Sequence, residues 1–352
     1  MSRAKTSHAR IARALLDWFR REKRQLPWRG TGDPYGIWVS EVMLQQTTVG
    51  AVRGRYESFL RRFPDVAALA RSREEQVLAA WSGLGYYARA RNLRAAAIRI
   101  VREHGGELPR DPAALKELPG FGEYMAAAVA SIAYGTRIPA ADANVTRVVS
   151  RLFTIAGTAG TPGHTAKVLR HAATLLPRTR PGDATAALMD LGQQICTPRR
   201  PRCAACPVAR FCAAFALGSP DRFPQRRRKP GARRVHFAAA LAVRGGRALL
   251  VRENGSLLAG LWSFPSAEGA TARGARARLV RAVTDLGLRL AAGSPAGSAR
   301  HTIVNRRLEI LVYRAEPRTR SRPNGRWLTG SAFRGAAVPT LARKIAHAGG
   351  FA

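Results

Sequence analysis

The four cysteines of this chain, Cys196, Cys203, Cys206 and Cys212, lie within seventeen residues, in the spacing Cys-x6-Cys-x2-Cys-x5-Cys. Cysteines gathered in this way cannot staple distant parts of a fold. They argue against a disulfide framework and for one local site in a reducing compartment. Four thiolates delivered by one tight loop suit a [4Fe–4S] cluster, in which each iron takes one soft sulfur ligand. The alternative is a structural zinc, but zinc ribbons usually present two close pairs, and here only Cys203 and Cys206 are close. The spacing favours iron–sulfur. Pro198, Pro201 and Pro207 restrict the loop, while Arg199, Arg200, Arg202 and Arg210 surround it with cations suited to phosphate or simply to solvent.

At 352 residues and 46% hydrophobic content, the chain is expected to form two folded domains. Its formal charge of +37 attracts polyanions, which makes nucleic acid the natural partner, although the scarcity of lysine beside arginine shows that compositional bias contributes. The basic N-terminus leads into an amphipathic pattern (Ile11, Leu15, Trp18, Phe19) rather than an apolar run. Neither a secretory signal nor a membrane span is expected, and a cytoplasmic location follows.

Helical periodicity recurs through residues 8–218, for instance over 73–81, 89–104, 112–118 and 123–134, so residues 1–218 are predicted to form an all-α domain. Residues 219–234 (SPDRFPQRRRKPGARR) are polar, basic and proline-containing, and read as a linker. From 235 to 352 the period changes. Strand-like runs at 235–243 and 247–251 flank Gly245-Gly246, another lies at 307–313, and helices are predicted at 275–286 and 339–348. The second domain is therefore α+β.

Leu118-Pro119-Gly120-Phe121-Gly122 falls between two helical segments. Gly120 and Gly122 would let a tight turn expose backbone N–H groups at the start of the next helix, an anion site, though Pro-Gly turns between helices are often only structural. This turn, taken with the cysteine loop, resembles the helix–hairpin–helix glycosylases of the endonuclease III superfamily. Ser40-Glu41-Val42-Met43-Leu44-Gln45-Gln46-Thr47, Gly83-Leu84-Gly85-Tyr86-Tyr87-Ala88-Arg89 and the overall length resemble the adenine DNA glycosylases of the MutY type. The resemblance is nearly continuous over 8–218 and weaker beyond. It implies a multidomain protein: an all-α helix–hairpin–helix domain with a [4Fe–4S] loop, then an α+β, Nudix-like lesion-recognition domain.

Cleaving an N-glycosidic bond requires protonation of the departing purine and stabilisation of an oxocarbenium-like sugar, work that two carboxyl groups in different environments can divide. Glu41 is the candidate acid. Its neighbours Ile37, Trp38, Val39, Val42, Met43 and Leu44 would desolvate a carboxylate and raise its pKa. The plain alternative is a glutamate favoured by a helix N-terminus. Asp142, in Ala140-Ala141-Asp142-Ala143-Asn144-Val145, resembles the family's aspartate that faces the sugar, a role compatible with capping the following helix. Asn144 would help hold the nucleophile or its water. Tyr124 stands where glycosylases that also cut the backbone carry a lysine. A Schiff base needs an amine, so little or no AP lyase activity is implied.

The base must also leave the duplex stack. The resemblance gives Gln46 and Tyr86 positions that insert near the lesion pair, and Trp28 and Arg29 positions in the base pocket. Core packing is the ordinary alternative for Tyr86 and Trp28. One departure is Ala186, four residues before Asp190, where the family usually offers Gln or Glu.

In the second domain, residues 257–265 (LLAGLWSFP) resemble a hallmark of the family's Nudix-related C-terminal domain. Nudix hydrolysis needs a glutamate-bearing helix to hold magnesium, whereas 275–286 carries only Asp285, so recognition rather than pyrophosphatase activity is expected. The family uses this domain to sense 8-oxoguanine opposite adenine. At His301-Thr302-Ile303-Val304-Asn305 this chain departs from the family's Phe-Ser-His-like segment. Val304 offers no side-chain hydrogen bond, and Thr302 or Asn305 would have to substitute. The resemblance thus implies a monomeric, nucleoid-associated enzyme acting on duplex DNA with A:8-oxoguanine or A:G mispairs. Competing readings are a thymine or uracil mismatch glycosylase and a catalytically idle, cluster-bearing DNA-binding protein; the joint presence of Glu41, Asp142 and Asn144 argues against the last.

Overall fold

The computed structural model describes residues 2–225, 227, 231–255, 258–318 and 325–351. Leu257 of the second-domain motif and residues 226 and 228–230 of the basic segment lie outside these. The chain divides into two compact units, Met1–Ala70 with Ala95–Arg228, and Arg71–Arg94 with Lys229–Ala352. Among the described residues no helix is long and apolar enough to cross a membrane.

The helices in chain order are α1 (Ser2–Glu22), α2 (Pro34–Leu44), α3 (Val49–Arg62), α4 (Val66–Arg71), α5 (Glu74–Ala80), α6 (Ala88–Glu103), α7 (Pro112–Lys116), α8 (Glu123–Tyr134), α9 (Ala143–Leu152), α10 (Pro162–Thr174), α11 (Pro181–Gln194) and the short α12 (Ala213–Ala216). One core of the first unit joins Leu15, Trp18 and Phe19 of α1, Val145, Val148 and Leu152 of α9, and Leu188 and Leu191 of α11. Cys196, Cys206 and Cys212 pack against this core. Small residues set the helix spacing. A Cβ at Gly182 would meet the Ser131 carbonyl oxygen at 2.5 Å, and one at Gly192 would meet Asn144 Cβ at 2.7 Å, so α11 reaches α8 and α9 only because these positions are glycine.

Residues 219–225, expected to be linker, are tied to the first unit: Gln225 exchanges backbone hydrogen bonds with Gly157 and Ala159, and Arg151 Nε donates to the carbonyls of Pro220 and Phe223. A nearly fully buried guanidinium needs acceptors, and this segment supplies them without any hydrophobic periodicity.

The second unit is built on a mixed sheet of β1 (Arg233–Arg244), β2 (Arg247–Arg252), β3 (Trp262–Ser263), β4 (Ser266–Gly269), β5 (Leu288–Leu290), β6 (Gly297–Ile303), β7 (Arg306–Pro317) and β8 (Arg326–Thr329), with α13 (Ala272–Asp285), α14 (Gly330–Gly335) and α15 (Thr340–Ala348). The path β3-β2-β1-β7-β5 is antiparallel except for β1 beside β7. Alternation along β1 feeds two cores. Val235, Phe237, Ala239 and Leu241 pack with α15 residues such as Leu341 and Ile345, while Ala238, Ala240 and Ala242 pack with Leu279 and Val283 of α13. The α+β expectation holds. What the sequence does not announce is that residues 71–94 belong to this unit. Glu75 Oε1 accepts from Trp262 Nε1 (3.0 Å) and Arg326 (2.7 Å), Ser82 Oγ and Tyr87 Oη donate to the Val338 carbonyl, and Arg91 donates to that of Ala259.

Candidate active site and cluster loop

Asp33 caps α2 by accepting from the N–H groups of Tyr35 and Gly36, with Pro34 opening the helix. Glu41 therefore sits in the last part of α2, where the helix dipole does not favour a carboxylate, and the helix-start alternative is removed. Nearly all of α2 is buried, and Glu41 is only 8% exposed. Burial pushes its carboxyl up to about 7, aided by the charge of Asp142 and opposed by a hydrogen bond from Tyr124 and the charge of Arg29. Tyr124, on the first turn of α8, donates its hydroxyl to Glu41 Oε2 at 2.8 Å. Its own pKa is raised well above that of an ordinary tyrosine by burial and the two nearby carboxyls, so it remains a donor.

Asp142 caps α9. Its Oδ1 accepts from the Val145 N–H and its Oδ2 from Asn144 Nδ2, both at 2.7 Å. Asn144 Oδ1 in turn accepts from Arg147 Nη2 at 2.9 Å, and Arg147 also donates to the carbonyls of Gly192 and Cys196. The aspartate is held through both oxygens, and its support runs through hydrogen bonds to the backbone of the cysteine loop.

Glu41 opens on a cavity of about 390 Å³, ample for a nucleobase and within the range of small-molecule sites. Trp28 and Arg29 line it, and so does Ala186, which adds no polar group. Trp28 is both wall and core, packed edge-on against Tyr56 at 5.3 Å between ring centroids. Arg29 lies over the Phe19 ring and is gripped by the fully buried Asp190, with Nη2 to Oδ1 at 2.8 Å. Asp190 also accepts from Arg24. Sequence reasoning misses Asp190 and Arg24 as site residues, because their pairing spans 166 positions and leaves no local signal.

Gln46 is exposed and takes a left-handed backbone conformation (φ 54°), which a non-glycine residue adopts only under constraint. Gly120 is also left-handed (φ 81°), whereas Gly122, the N-cap of α8, has an ordinary φ of −97°. Only the first hairpin glycine is thus demanded by the backbone.

In the second unit, a cavity of about 210 Å³ is lined by Tyr86, Tyr87, His301, Thr302 and Val304, among others. Asn305 is not part of its lining; its carbonyl accepts from the Arg233 N–H. Tyr86 is 48% exposed and Val304 62% exposed, and both hold positive φ angles, 46° and 56°. Tyr86 is therefore not a core residue, and Val304 is a β-branched residue in a conformation that costs energy.

The four cysteines occupy a loop of two 3-10 turns, Cys203–Ala205 and Ala209–Phe211; all are partly buried and none is in a disulfide. Burial pushes Cys206 up to about 12, and the charges of Cys196, Cys212 and Cys203 push it further in the same direction. Cys203 and Cys212 are raised for the same reasons. Cys203, Cys206 and Cys212 thus resist becoming thiolates unless a cationic centre binds them, which is what an iron–sulfur core would supply. Arg151 Nη1 donates to Cys196 Sγ at 3.3 Å, a further match to a thiolate ligand.

Comparison with known proteins agrees with this layout. Residues 39–175 match the HhH-GPD superfamily of base excision DNA repair proteins, 196–212 the iron–sulfur binding domain of endonuclease III, and 238–348 the NUDIX domain. The chain is 34% identical over 398 residues to an adenine DNA glycosylase of Homo sapiens, an alignment spanning 94% of this chain and 72% of that one. It is 41% identical over 216 residues to an adenine DNA glycosylase of Mycolicibacterium smegmatis, covering 60% of this chain and 73% of that one. Among solved structures, a thermostable thymine-DNA glycosylase is similar with TM-score 0.55 and 28% identity over 61% of this chain and 99% of that one. Endonuclease III in a non-covalent DNA complex shares the fold, with TM-score 0.52 and 21% identity over 61% and 97%.

Proposed function

The chain belongs to the adenine DNA glycosylase family, and from that premise we propose that it extrudes adenine mispaired with 8-oxoguanine or guanine from duplex DNA and hydrolyses its N-glycosidic bond. It is an adenine-specific DNA glycosylase of base excision repair, with a helix–hairpin–helix domain, a Nudix-like domain and a [4Fe–4S] cluster held by Cys196, Cys203, Cys206 and Cys212.

Glu41 protonates the departing adenine. The observation that carries this role is a buried carboxyl whose pKa is raised to about 7, aligned by the Tyr124 hydroxyl at 2.8 Å and facing the base-sized cavity. As the bond breaks, positive charge develops on the sugar, and Asp142, fixed through both oxygens, stabilises it. Asn144 keeps Asp142 oriented. A phenol at position 124 cannot form a Schiff base, so base release proceeds with little or no strand cleavage. Trp28 and Arg29 receive the base. Gln46, Tyr86 and the hairpin glycines Gly120 and Gly122 engage the duplex, and Thr302, beside Val304, meets the base opposite the adenine, with Asn305 at the tip of the same hairpin. Cys196, Cys203, Cys206 and Cys212 would hold the cluster, and with it bound the loop that carries Arg199, Arg200, Arg202 and Arg210 would be stiffened for contact with phosphates. The enzyme acts as a monomer in the cytoplasm, on the nucleoid.

A single-turnover assay on duplexes carrying A:8-oxoguanine, A:G, T:G and U:G tests this reading. Adenine release from the first two, fastest opposite 8-oxoguanine, is expected. Release of thymine or uracil without adenine would overturn it in favour of a pyrimidine mismatch glycosylase.

A further inference from the structure

Tyr86, which engages the duplex in the proposed function, projects from a left-handed backbone (φ 46°), a conformation that a tyrosine keeps only when its surroundings impose it. The residue that imposes it lies three positions on. Arg89, in the first turn of α6, donates its backbone N–H to the Tyr86 carbonyl at 2.9 Å, and its Nη2 donates to the carbonyls of Leu84 and Gly85, both at 3.1 Å. The Gly85 carbonyl also accepts from Trp81 Nε1 at 3.2 Å. The guanidinium carbon lies 5.3 Å from the centre of the fully buried Trp81 ring and 5.7 Å from that of Tyr86, within cation–π reach of both. Burial lowers the Arg89 pKa to about 10, which leaves it a cation at neutral pH. One planar cation thus ties an anchored ring, two carbonyls of the turn and the projecting ring together. A lysine has neither the flat face nor the fork of donors to do this.

We propose that Arg89 is a positioning residue for base extrusion: acting through Tyr86 rather than on the DNA, it fixes that ring in the projecting orientation that entry into the base stack requires. Tyr86 is thereby ordered before DNA binds, so association does not bear the entropy of ordering it. This rests on the assignment of Tyr86 to the duplex.

The test is a double-mutant cycle between R89Q and Y86A in the full chain. Its readout is the fluorescence of 2-aminopurine, placed opposite 8-oxoguanine in the position of the adenine, which rises as the base leaves the stack. R89Q and Y86A are each expected to slow that rise about tenfold, and the double variant is expected to match Y86A alone. R89K, a milder change that keeps the charge, should likewise cost nothing further in the Y86A background. A variant that had merely lost its fold, or an arginine that gripped a phosphate, would slow the double variant well below Y86A, and that additivity in both R89Q and R89K overturns the proposal. Extrusion by R89Q at the wild-type rate overturns it as well. Extrusion by Y86A at the wild-type rate would remove the assignment of Tyr86 itself, whereas a slow Y86A with additive Arg89 variants removes only the role of Arg89.

Discussion

Two cavities of this protein, one in each unit, are built by opposite means. The first, beside Glu41, is made by burial and charge: a desolvated carboxyl near neutrality, a tyrosine hydroxyl aimed at it, and an arginine pair tied to Asp190. The second is rimmed by Tyr86 and Val304, both exposed and both on constrained backbone, alongside buried residues such as Tyr87 and Leu341. A site that must move a proton needs a controlled electrostatic environment. The role proposed for Tyr86, insertion near the lesion pair, asks for stiff, protruding surface, and a left-handed backbone at a non-glycine residue is one way to obtain it.

The contrast is broken most forcefully by E41Q, which leaves the volume of the first cavity intact but removes its proton. Single-turnover adenine release is expected to fall by about 10²–10⁴-fold, with affinity for abasic DNA preserved. D142N follows, with an expected loss of about 10²–10³-fold as the charge proposed to face the sugar disappears. Stability should move the other way. Because the folded-state pKa of Glu41 is raised from 4.5 to about 7, its burial costs nothing below the unfolded value and the full penalty only above the folded one. E41Q should therefore be more stable than wild type at pH 8, by up to roughly 3 kcal/mol, with the gap closing as pH falls toward 5. Denaturant melts at the two pH values would measure it.

The second cavity should respond weakly and differently. V304G, which relieves the left-handed strain, is expected to stabilise the protein by about 1 kcal/mol without changing the ratio of rates opposite 8-oxoguanine and guanine. V304S adds a hydrogen-bonding group at the same place and should raise that ratio a few-fold. Equal large losses of adenine release from V304S and E41Q would erase the division between the two sites.

Much of the first site was legible in the chain because its signals are local. The apolar neighbours of Glu41 announce its burial, and Asp142 precedes a helical run that needs a cap. The partnership of Tyr124 with Glu41 spans 83 positions and leaves no local trace; the sequence suggested only what Tyr124 is not, a lysine. Asp190 was equally silent, since its partners Arg24 and Arg29 lie more than 160 residues away. Residues 71–94 carry the same helical periodicity as their neighbours, so nothing in the pattern assigned them to the second unit. Their allegiance comes from single polar contacts, Glu75 to Trp262 and Ser82 to the Val338 carbonyl. Periodicity reports which face is buried, not what buries it.

The central claim is that burial, moderated by Tyr124, holds Glu41 protonated near neutral pH for delivery to adenine. The pH profile of single-turnover adenine release tests it most directly in wild type and Y124F. Wild type should show a plateau below about pH 7 and a decline above it, following the ionisation of Glu41. Because the Tyr124 hydrogen bond lowers that pKa, its removal should shift the decline to higher pH. Superimposable profiles for the two proteins, or a wild-type rate that stays level through pH 9, would contradict the account.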